Sequence, residues 1–105
     1  MREYYVWNTE AEAQAALDFI NNSGWFPIIG RNAKTGELQP DKQKTTKWAD
    51  SVQERLDGKW CFPRIEEVRL DALGIPPETR QGFLDAFQPT IEEYQSEWFP
   101  IEEIL

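Results

Sequence analysis

The chain has 105 residues, 40% hydrophobic and 13% aromatic, with a net charge of -8 and a mean hydropathy of -0.66. That length predicts a single domain, residues 1–105, with one core and no room for a second. There is no histidine, which removes the usual general base near neutral pH and the commonest metal ligand. The one cysteine, Cys61, cannot form an internal disulfide.

No stretch approaches 18 consecutive apolar residues, and no charged-then-apolar leader follows Met1. The expectation is a protein with neither a membrane span nor a visible secretion signal. The lone thiol fits a reducing cytoplasm. The charge is unevenly placed: residues 1–65 hold nine acids and nine bases, whereas residues 66–105 hold ten acids against Arg69 and Arg80. An acidic C-terminal part makes nucleic acid an unfavourable partner there and suits a solvated surface or a basic protein partner.

In chain order, Arg2 to Asn8 alternates as a strand with Tyr4, Val6 and Asn8 on one face and Tyr5 and Trp7 on the other. Aromatic on both faces, it reads as an inner strand or one covered on both sides. Thr9-Glu10-Ala11-Glu12 is a capping box, in which the Thr9 hydroxyl accepts from the Glu12 amide. It opens a helix with Ala13, Ala16, Leu17 and Ile20 as its stripe, and Gly24 is a suitable left-handed stop. Trp25 to Gly30 reads as the next strand, Asn32 to Gly36 as a turn, and Glu37 to Pro40 as a short return strand. Asp41 to Lys47 is polar and without periodicity, and an exposed loop is expected there.

The sequence is organised around residues 43–65, where Asp57-Gly58 separates two extendable stretches and signals a β-hairpin. A two-residue turn would set Arg55 opposite Trp60. A three-residue loop with Gly58 left-handed sets Glu54 opposite Trp60 and Val52 opposite Phe62, and is preferred because it places an apolar pair on the aromatic face. Beyond Ile65 the pattern turns helical. Glu66 to Leu73 forms a short helix stopped by Gly74, and Pro77 opens another with Phe83, Leu84 and Phe87 on one face. Gly82 inside it implies close packing. Thr90-Ile91-Glu92-Glu93 reads as a second capping box opening a helix of at most two turns. The segment from Trp98 to Leu105 is too apolar for a disordered tail, and docking onto the domain is expected. Trp-Phe-Pro recurs at residues 25–27 and 98–100, but the flanks differ and no repeat is inferred.

The motifs carry no reaction centre. No phosphate-binding loop, dinucleotide fingerprint or nucleophile elbow is present. Cys61, between Trp60 and Phe62, reads as a strand residue rather than a nucleophile. The acid pairs Glu66/Glu67, Glu92/Glu93 and Glu102/Glu103 read as surface carboxylates. Lys42, Lys44 and Lys47 before Trp48 have the basic-plus-aromatic look of a nucleic-acid contact, outweighed by the charge of the whole chain. No catalytic residue, metal or cofactor is therefore expected.

Asp41-Lys42-Gln43-Lys44-Thr45, Lys47-Trp48-Ala49, Arg55-Leu56-Asp57-Gly58-Lys59-Trp60 and Phe62-Pro63-Arg64, with Phe83 to Phe87, Glu92-Glu93-Tyr94 and Trp98-Phe99-Pro100, resemble small uncharacterised proteins of tailed phages and prophages. The resemblance covers most of the chain and implies an accessory protein expressed in bacterial cytoplasm, without an assigned activity.

The expected fold is α+β: a small, mainly antiparallel sheet of three to five strands, one N-terminal helix after the first strand, and two or three C-terminal helices. The expected function is non-enzymatic protein–protein interaction, with Trp48, Trp98 and Phe99 as exposed partner-binding aromatics. The alternative is an acidic nucleic-acid mimic that inhibits a DNA-binding defence protein.

Overall fold

The computed structural model describes residues 2–31 and 33–99. The fold is α+β. Strands β1 (Glu3–Trp7), β4 (Gln53–Glu54), β5 (Trp60–Pro63) and β6 (Thr90–Glu93) form an antiparallel sheet in the order β4-β5-β1-β6. Strands β2 (Pro27–Arg31) and β3 (Leu38–Thr45) form a separate two-stranded arm. Helix α1 (Glu10–Asn22) follows β1, and α2 (Glu67–Ala72) and α3 (Pro77–Phe87) lie between β5 and β6.

β1 is an inner strand, and alternation along it divides the core. Tyr5 and Trp7 join Phe62 of β5 under α1 and α3. Tyr4 and Val6 join Cys61 on the other face, where Trp98 covers them. The α1 stripe of Ala13, Ala16, Leu17 and Ile20 is fully buried. The α1 cap is as read: the Glu12 amide donates to Thr9 Oγ1 at 3.3 Å, and Gly24 follows with φ +79°.

The hairpin between β4 and β5 takes the three-residue register. Glu54 faces Trp60 and Gln53 faces Cys61, the Arg55 amide donates to the Lys59 carbonyl at 2.7 Å, and Gly58 has φ +87°. A left-handed residue closing such a loop is available to glycine without strain.

Three readings need correction. Asp41 to Thr45 is strand, not loop: β3 runs antiparallel to β2 with Ile28 opposite Asp41. Asp41 to Thr45 is polar and has no period-2 signal, and pairing with β2 is what makes it strand. The register shifts between Pro27, opposite Thr45, and Ile28, opposite Asp41, so Lys42 to Lys44 lie in an irregular stretch of β3. Second, Thr90 to Glu93 is strand β6, paired with β1 from Val6↔Thr90 to Glu3↔Glu93, not the start of a helix. A one- or two-turn helix carries the full nucleation cost, whereas β-branched Thr90 and Ile91 gain a ready-made partner strand. Third, Gly82 is exposed, and a Cβ there would meet nothing within 4 Å, so close packing does not explain it.

The molecule measures 52 × 42 × 25 Å, and its radius of gyration of 16.2 Å exceeds the about 13 Å usual for this length. The chain from Pro27 to Lys47 holds Arg31, Lys34, Lys42, Lys44 and Lys47 against Glu37 and Asp41, net +3. The remaining residues therefore total -11.

Candidate functional site

Trp48 lies just beyond the arm, where the chain returns to the body, and several contacts fix it. Its ring stacks on Phe26 at 5.2 Å and 17°. Its indole Nε1 donates to the Pro63 carbonyl at 2.7 Å. Its amide donates to Asn21 Oδ1 at 2.8 Å, and Asn21 Nδ2 donates to the Ala49 carbonyl at 3.1 Å. Asn21 of α1 thus clamps the strand-to-loop junction. The arm's hydrogen bonding extends to this base, with the Thr46 amide donating to the Phe26 carbonyl at 2.8 Å.

Beside Trp48 opens a groove of about 630 Å³, walled by Arg2 and Glu3 at the start of β1, Pro63 at the end of β5 with Arg64 after it, and Glu66 to Arg69 at the start of α2. The Arg69 guanidinium lies 5.4 Å from the Trp48 ring centre and 5.9 Å from that of Phe26. Val68 beside it is 69% exposed, a large apolar side chain without cover. Arg64 donates to Glu3 Oε1 at 2.8 Å and approaches Glu67 at 3.7 Å. Glu67 is shared with Arg80, which also reaches Asp71, both at 2.7 Å. The Asp71 and Glu67 carboxylates together hold the Arg80 guanidinium above its ordinary range. The groove therefore has a rigid aromatic wall, an exposed apolar residue, and a rim of interlocked ion pairs. Such a lining can hold a short protein segment by stacking and side-chain hydrogen bonds.

Trp98 and Phe99 lie elsewhere. Trp98 is 5% exposed and packs edge-on to Tyr4 at 5.6 Å, so its expected exposure is not what the chain adopts. The Arg55 guanidinium sits 4.0 Å from the Trp98 ring centre and pairs with Asp57 and, at 3.2 Å, with Glu92. The Leu56 amide donates to the Trp98 carbonyl at 2.8 Å. Phe99, half-buried, stacks on Tyr94 at 6.2 Å and lines a shallower groove of about 320 Å³ with Arg2, Tyr4, Gln53 and Tyr94. Arg2 lines both grooves, but the fold does not bring Trp48 together with Trp98 and Phe99 in one patch. The docking expected of the C-terminal segment holds for Trp98, against the sheet; residues 100–105, including the pair Glu102/Glu103, lie outside the described residues.

Cys61 is fully buried under Trp98, and desolvation pushes its thiol up to about 11 despite the opposing pull of Arg55. A thiol so placed is a poor nucleophile at neutral pH. Among the described residues no group of three or more Cys, Asp or Glu side chains could hold a metal ion, and no helix is long and apolar enough to cross a membrane. The reading of Trp48 found one wall of the groove, but Phe26, Arg69 and Val68 were missed. Their convergence is long-range and leaves no local sequence signal. No protein-family model, curated protein or solved structure matches the chain.

Proposed function

We propose that the protein is a non-enzymatic interaction module that engages another protein through the groove at Trp48. The observation that carries this reading is the fixed Phe26–Trp48–Arg69 stack beside exposed Val68: a preorganised aromatic and apolar surface loses little conformational entropy on binding. The resemblance to phage and prophage accessory proteins supports a role of this kind in bacterial cytoplasm. The alternative of an acidic nucleic-acid mimic has less support, because Glu67, Asp71 and Glu92 are each committed to arginines and the C-terminal acids are spread over α2, α3, β6 and the turn at Ser96–Trp98.

The test uses exposed positions, since Trp48 itself supports the core. Tagged wild type and a Val68→Asp/Arg69→Glu variant are used as baits in a bacterial lysate, with melting curves to confirm that both fold. The reading expects a protein retained by the wild type and lost by the variant. Equal retention by both baits, or none by either, would remove its support.

A further inference from the structure

The two sheets leave complementary edges open. β6 pairs with β1 on one side only, and its outer edge is unpaired among the described residues. Beside that edge lie Ile91, 39% exposed, and Tyr94, 44% exposed. The acids there are not all neutralised: Glu92 pairs with Arg55, but Glu93 lies opposite Glu3, a like charge, and Glu97 follows in the next turn. The arm presents the reverse, two strands that pair with no third strand among the described residues, net charge +3, and exposed Leu38. An open edge flanked by uncovered apolar side chains is a template for strand addition.

We propose that the basic arm of one copy adds to the acidic β6 edge of a second copy, giving head-to-tail self-association. Charge decides the pairing. Two arms meeting edge to edge bring like positive charges together, and two β6 edges bring like negative charges together; only the mixed pairing is complementary. A duplex nucleic acid is the other polyanion an arm of this charge could meet. However, the body's -11 opposes its approach, and the arm has few cations to replace the counterions a duplex releases. Because the two surfaces are different, the contact is heterologous and continues into rings or open chains instead of stopping at a dimer.

Sedimentation velocity across a concentration series, at 50 mM and 500 mM salt, tests this. Concentration-dependent association is expected at low salt, weakened about tenfold at high salt. Lys42→Glu/Lys44→Glu and Glu93→Lys/Glu97→Lys should each weaken it about tenfold, and mixing the two variants should restore assembly between them, since one supplies an acidic arm and the other a basic edge. In the wild type, raising the concentration should slow hydrogen exchange at the β6 amides, a readout that needs no substitution. A monomer at every concentration, a reversal that leaves association unchanged, or binding of duplex DNA by a chain that does not self-associate would each overturn the proposal.

Discussion

Arg55 ties three parts of the chain through one guanidinium: the hairpin loop through Asp57, the edge strand through Glu92, and the C-terminal turn through the Trp98 ring. It is 7% exposed, and its Nε has no hydrogen-bond partner among the described residues. Arg55→Ala leaves two carboxylates unpaired and opens space over Trp98. Because Asp57 and Glu92 stay partly solvated, the cost falls below that of a fully buried pair, at about 2 kcal/mol, measurable by urea denaturation. Asp57 adds a pH dependence. Desolvation raises its carboxyl, but the Lys59 amide and the Arg55 guanidinium outweigh it and leave it below its ordinary 3.8. The stabilisation is therefore complete above the unfolded value and is lost as pH falls through the lower folded one. Asp57→Asn should flatten the loss of stability below about pH 4, and melting curves from pH 2 to 6 check this. Gly82 works the other way. With ordinary helical backbone and nothing within 4 Å of a built Cβ, Gly82→Ala should stabilise α3 by about 1 kcal/mol.

At the scale of elements, legibility follows the range of the interactions that decide each one. Helix α1 was readable because its cap, stripe and stop are all local. The Asp57-Gly58 hairpin was readable as a hairpin from local residues, but its register was open between two loops, and the three-residue one with Glu54 opposite Trp60 is what forms. β6 was not, since Thr90-Ile91-Glu92-Glu93 satisfies a helix-start pattern and only β1, more than eighty residues away in sequence, decides otherwise. Gln88, left-handed at φ 48°, ends α3 and turns the chain toward that strand. β3 was not readable beyond Pro40 because Asp41 to Thr45 carry no period-2 signal and only pairing with β2 makes them strand. The arm's isolation has a measurable consequence. A two-stranded hairpin is marginal in water, and β2 and β3 pair with no third strand among the described residues, so their amides should exchange at least about tenfold faster than those of α1, β1 and β5. Equal protection would mean that the arm is covered in solution, which at high concentration is the outcome self-association expects.

Across the whole molecule, the candidate site was only partly legible. Trp48 stood out by composition, but Arg69 and Phe26 meet it only after α1, β5 and the arm base are in place. Trp98 stood out for the same reason and is buried, closing the second core over Tyr4, Val6 and Cys61. That core is thin, with Tyr4, Val6, Cys61 and Trp98 buried and Phe99 partly so. Among the described residues Trp98 and Phe99, both after β6, pack over it, so the second face of the sheet draws on a short C-terminal segment. Truncation after Gln95 removes Trp98, its contact with Arg55, and the acceptor for the Leu56 amide. It also exposes Tyr4, Val6 and Cys61 to water. Losing a buried tryptophan costs about 3–5 kcal/mol, a large share of the 5–15 kcal/mol typical of a domain. The truncated chain should melt at least about 10 °C below the full one, and Trp98→Ala in the full chain should account for most of that drop. A truncated protein that melts with the full chain would mean that the sheet's second face is stable without Trp98.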